Sequence, residues 1–140
     1  MKRVDVVYVV VNDEHENVLM VKNRGKNGSY FTLPGGAGAV EKGETLVEAA
    51  EREVKEETGY EVKVGNILCV TEAFFDEPNH HAIFFTFSGE IKGGDIDLSN
   101  PEEIESVEWQ PLKEAEKHAL VVKQEGLLQE MKTVPYLLRR

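Results

Sequence analysis

The chain has 140 residues, 41% of them hydrophobic and 30% charged, with a formal net charge of −10. That length fits a single domain over residues 1–140 with a core of its own, and the composition excludes a disordered chain. The negative charge excludes nonspecific binding of nucleic-acid polymers, which needs cations against phosphates; a small phosphorylated substrate stays open if a divalent metal bridges the two sets of anions.

The first predicted element is a strand over Val4 to Val11. Lys2 and Arg3 before the valines imitate a signal peptide, but Asp5 breaks the run and Val6 to Val11 is too short for a signal core. A buried strand and a cytoplasmic protein are the expectation, and no segment is long enough to span a bilayer. Further β-branched or aromatic runs follow at Val18 to Val21, Tyr30 to Leu33, Ile67 to Phe75, Ala82 to Glu90 and Ile104 to Trp109. Turn formers such as Asn12-Asp13, Asn27-Gly28, Pro78-Asn79 and Gly93-Gly94 punctuate them. The stretch AIFFTFSGE is apolar enough to be covered on both faces. The lone cysteine, Cys69, reads as a buried thiol and excludes an intrachain disulfide.

Two helices are predicted. One runs from Thr45 to Thr58 and stops at Gly59; the other runs from Glu116 to Lys132, with a shorter helical turn after Pro111. Strands with two principal helices imply an α/β class, a mixed sheet between helices. At about 100° per residue, Glu53, Glu56 and Glu57 share one face of the first helix, beside an apolar stripe with Val47 and Val54. Ala49 and Ala50 lie one turn earlier, where small side chains would leave room for a ligand. An acidic stripe is ordinarily a solvated face. Here the like-charge pair Glu53–Glu57 at i,i+4 opposes a bare helix, and the stripe follows the glycine-rich LPGGAGAVEKGE. Clustered carboxylates suit Mg²⁺ or Mn²⁺, whose shell is commonly completed by substrate phosphates.

The run Gly38, five residues, Glu44, seven residues, Arg52-Glu53-Val54-Lys55-Glu56-Glu57-Thr58-Gly59-Tyr60 resembles the signature of the Nudix hydrolases (the MutT-like family), with Tyr60 in place of the usual aliphatic. The resemblance implies a Nudix-type α/β/α sandwich and hydrolysis of a nucleoside diphosphate linked to another moiety: a nucleoside triphosphate, nucleotide sugar, ADP-ribose or dinucleoside polyphosphate. It implies metal ligation by Glu53, Glu56 and Glu57 and by the Gly38 carbonyl, with Arg52 orienting the glutamates and Glu44 mainly architectural. Relatives run Leu-Pro-Gly-Gly straight into the box, so two extra residues lie near Gly36 to Gly38 and leave Gly36 as the alternative carbonyl. Candidate general bases are Glu53, Glu102 and Glu103. The extra signature of the family's NADH and coenzyme A branches is absent, and Pro78 lies beyond the proline typical of its ADP-ribose enzymes. The alternative reading is a nucleotide-sensing module of the same fold without turnover. Dimers are common in the family, so a homodimer is an open expectation.

Outside the box, Arg24, flanked by Lys22 and Lys26, is the candidate for binding substrate phosphates. Phe31, Phe74 and Phe75 read as core, and His80 and His81 as an exposed loop pair. The closing PYLLRR reads as a docked tail or part of an interface.

Overall fold

The computed structural model describes residues 1–36, 40–118 and 133–139. Among these described residues six strands and two helices follow in the order β1 (Lys2–Val11), β2 (Asn17–Gly25), β3 (Gly28–Thr32), α1 (Leu46–Thr58), β4 (Tyr60–Phe75), β5 (His80–Gly94), β6 (Ile104–Pro111) and α2 (Leu112–Ala115). They build two three-stranded sheets. One is mixed, in the order β1-β5-β4, with β1 parallel to β5 and β4 antiparallel to it; the other is antiparallel, in the order β3-β2-β6.

Alternation along β1 divides the core. Val7, Val9 and Val11 face α1 and pack with Leu19, Val54 and Phe87, whereas Val10 packs with Val18, Met20, Leu33 and Leu68 toward α2. Both faces of β1 are thus covered, which explains its unbroken valine run. In β5 the neighbours Thr86 and Phe87 are both buried, so the central strand is covered on both sides there, as its composition predicts.

Several expectations change in the folded chain. Ala49 and Ala50 are fully buried against the sheet, so their small size lets α1 approach the strands rather than making room for a ligand. β4 begins at Tyr60, seven residues before the predicted start. Gly65-Asn66, just before that predicted start, sits where the ladder to β5 slips, between Val64 and Ile67, and the strand runs through the bulge. Phe74 and Phe75 are 64% and 43% exposed, because they lie at the far end of the β4–β5 hairpin. His80 and His81 open β5 instead of lying in a loop; the His81 ring stacks on Phe74 at 4.2 Å and its Nε2 lies 2.6 Å from Glu72.

The turn after Pro111 is α2. Of the helix expected from Glu116 to Lys132, residues 116–118 follow α2 as a turn, and the remainder lies outside the described residues. The tail is docked at its start: Val134 exchanges two 2.8 Å backbone hydrogen bonds with Ile67, and the Tyr136 ring meets Phe87 edge-on. Cys69, expected to be buried, is only half-buried, and burial raises its thiol pKa.

Candidate active site

The helix that carries the carboxylates is closed at both ends by local chemistry. Thr45 caps the first turn, accepting from the Glu48 amide at 3.0 Å while Glu48 accepts from the Thr45 amide at 3.0 Å. Gly59 ends the helix in the left-handed region, φ 89°, where a Cβ would lie 2.2 Å from the Asp95 carbonyl oxygen. The apolar side, Ala49, Ala50 and Val54, is buried in the core. This orientation leaves Glu53 and Glu57 facing the loop that precedes the helix.

That loop is stitched to β1. The Val9 amide donates to Pro34 at 3.0 Å, and the Gly36 amide donates to Val7 at 2.9 Å. The Gly35 amide is then free to donate to Glu57 Oε1 at 2.8 Å. Both glycines have positive φ; a Cβ on Gly35 would lie 2.1 Å from the Val7 carbonyl oxygen, and one on Gly36 would lie 2.6 Å from the Tyr8 hydroxyl. Glycine is therefore required here for close approach. Gly38, the carbonyl ligand indicated by the box spacing, lies outside the described residues.

Arg52 gathers the remaining carboxylates. Its Nε and Nη2 donate to the two oxygens of Glu44 at 2.7 and 3.0 Å, a bidentate pair. Its Nη1 reaches Glu53 at 3.1 Å and Glu56 at 3.2 Å. The hydrogen bond to Glu44 is the main cause of a raised Arg52 pKa, and its counterpart lowers that of Glu44.

Glu53 and Glu57 are 4% and 6% exposed and lie close enough for each to shift the other's carboxyl. Burial raises the Glu53 carboxyl pKa, opposed by Arg52 and reinforced by Glu56. Burial pushes Glu57 up to about 9; the Gly35 amide opposes this, and the Glu53 charge adds to it. Tyr8, stacked on Phe84, has its phenol pushed up to about 12, by burial first and by Glu57 second. Two buried acids thus meet under a glycine turn, with one shared guanidinium and one amide to offset them. Glu56 is brought to Arg52 at the surface rather than into this pair. Among the described residues no group of three or more His, Cys, Asp or Glu side chains is arranged to hold a metal unaided. The donor set nevertheless fits a hard cation: it has excess carboxylate oxygen, desolvated, beside backbone held close by glycines.

The structure does not bring Arg24 to this cluster through any described contact. Its Nη1 pairs with Glu105 at 3.2 Å and its Nε donates to the Pro101 carbonyl at 3.0 Å. Lys22 also pairs with Glu105, at 2.8 Å. Glu102 and Glu103 are exposed on the loop before β6, where Glu103 accepts from the Asn100 side chain. That loop reaches the helix, since Ser99 Oγ donates to the Glu56 carbonyl at 3.1 Å. Tyr8 and Ser99 were not singled out from sequence. A phenol inside a valine run was an available signal for Tyr8; Ser99 offered none.

A family model described as the NUDIX domain matches residues 1–131. The chain belongs to the NUDIX family. It is 40% identical over 91 residues to the ADP-ribose pyrophosphatase of Methanocaldococcus jannaschii, covering 59% of this chain and 52% of that protein. It is 34% identical over 105 residues to the NAD-capped RNA hydrolase NudC of Edwardsiella ictaluri, covering 74% and 37%. The chain therefore spans about half or less of these curated relatives. A NUDIX hydrolase from Nitrosomonas europaea shares the fold, with a TM-score of 0.76 at 23% identity, covering 96% of this chain and 93% of that one. The NUDIX fold, of the α/β class, is the one implied by the box. Among the described residues no helix is long and apolar enough to cross a membrane.

Proposed function

We propose that the chain is a NUDIX pyrophosphohydrolase that cleaves a nucleoside diphosphate linked to another moiety, with Mg²⁺ or Mn²⁺ as cofactor. The observation that carries this reading is the buried Glu53–Glu57 pair, which lacks enough positive charge of its own. Glu53, Glu56 and Glu57 would hold the cation, together with a loop carbonyl that the box spacing assigns to Gly38. When bound, such an ion supplies a Lewis acid for phosphate oxygens and a lowered pKa for water.

The chain's own residues do the rest. Arg52 holds Glu53 and Glu56 in place from one guanidinium, itself anchored by Glu44. The Gly35 amide fixes one oxygen of Glu57. In the reaction a water oxygen bonds to phosphorus, the bridging P–O bond breaks, and the leaving phosphate carries away its electron pair. The water's proton passes to a carboxylate, for which Glu53, Glu102 and Glu103 are the candidates. The net charge of −10 favours a small substrate over a polymer, although one relative is named for a capped RNA.

A panel of nucleoside triphosphates, nucleotide sugars, ADP-ribose and dinucleoside polyphosphates, each with Mg²⁺ and with Mn²⁺, tests the reading. Turnover of at least one compound is expected, and Glu57→Gln should lower kcat by about 10²-fold or more with the fold intact. Nucleotide binding without turnover across the panel would instead establish a sensing module. A near-wild-type rate in Glu57→Gln would refute its place in the site.

A further inference from the structure

The loop 95–103 joins β5 to β6 and is fastened at two ends. At one end it docks on the close of α1. The Asp97 amide donates to the Thr58 carbonyl at 2.9 Å, Ser99 Oγ donates to the Glu56 carbonyl at 3.1 Å, and Asp95 packs so tightly on Gly59 that no Cβ fits between them. At the other end it is tied to β2 by Arg24. The guanidinium donates from Nε to the Pro101 carbonyl at 3.0 Å, and the Arg24 amide donates to the Glu103 carbonyl at 2.8 Å. The Asn100 carbonyl accepts from the Glu103 and Ile104 amides, which turns the chain between the two anchors. The guanidinium is itself aimed by Glu105, which also accepts from Ser29 and pairs with Lys22.

We propose that Arg24 is a positioning residue, whose planar fork locks the loop 95–103 between β2 and the end of α1. The lock sets the backbone of Glu56, and with it Glu102 and Glu103, relative to the Glu53–Glu57 pair. Arg24 thus acts on the reaction through the loop and not as a phosphate ligand. The consequence for turnover rests on the function proposed above; the docking of the loop does not. Lysine cannot replace arginine in this role, because one ammonium lacks the rigid fork that serves a carbonyl and a carboxylate together.

The test uses Arg24→Ala and Arg24→Lys in the full chain, with amide hydrogen exchange and steady-state kinetics on whichever panel compound is turned over. Exchange at Asp97 and Ile104 should quicken at least tenfold in both variants. The kcat should fall about tenfold while KM stays within twofold. A tenfold rise in KM with unchanged exchange would make Arg24 a substrate ligand and overturn the proposal. Full rescue by lysine, or a lowered Tm with kcat intact, would overturn it as well. If the wild type turns over nothing, the function fails separately, and unchanged exchange alone would still sink the loop lock.

Discussion

Glu57 carries the most measurable consequence at the scale of single residues. Its carboxyl has an ordinary value of 4.5 and is pushed to about 9 in the fold, by burial above all. Between those values the folded metal-free protein holds a proton that the unfolded chain releases, so this group's contribution to stability falls as pH rises from 4.5 to 9. Binding Mg²⁺ or Mn²⁺ near pH 7 should therefore expel about one proton, and the number should shrink as pH passes 9. Titration calorimetry in buffers of different ionisation enthalpy reads this directly; a buffer-independent heat would refute a protonated Glu57. The acidic cluster was legible because helical spacing puts its members on one face. What was hidden is that they part company: Glu53 and Glu57 turn inward, while Glu56 stays at the surface with Arg52. Spacing alone could not separate them, because the difference depends on how α1 is rolled against the sheet.

Among the elements, the start and the stop of α1 were readable, since they rest on neighbours close in the chain, whereas the burial of Ala49 and Ala50 was not. The same locality gives a graded prediction. Thr45→Ala removes one cap and should cost about 1 kcal/mol. Gly59→Ala should cost more, because it combines a left-handed backbone with a collision at Asp95. Urea unfolding of the two variants checks the order; equal or reversed losses would mean that the helix end is not clamped by the loop. The strands were less legible where a local signal had two meanings. Gly65-Asn66 marks a bulge and not a boundary, and the aromatics Phe74 and Phe75 follow a core-like pattern yet outrun the layer that would cover them. The glycine turn was recognised as important, but its partners on β1, Val7, Val9 and Tyr8, lie 25 or more residues away and left no trace in the spacing.

For the molecule as a whole, the charge of −10 and the acidic site act in the same direction. An uncapped single-stranded RNA oligomer should show no binding up to about 0.1 mM at physiological salt, since no excess of cations is present to release its counterions. Fluorescence anisotropy would show it, and a salt-dependent micromolar complex would defeat the expectation that polymers are not partners.

The parallel pairing of β1 with β5 also bears on how readily the chain assembles. β1 spans Lys2–Val11, and its sheet partner spans His80–Gly94. The ladder of β1 with β5 closes a long loop and so is intrinsically slow to form, whereas the bonds of β1 to Pro34 and Gly36 close a much shorter one. The glycine turn hangs on that same strand, so the placing of Gly35 against Glu57 depends on how firmly β1 is held in its sheet. Lys2, Arg3 and Asp5 at the head of this valine-rich strand are charges of the kind that disfavour its pairing with another copy while it is unpaired.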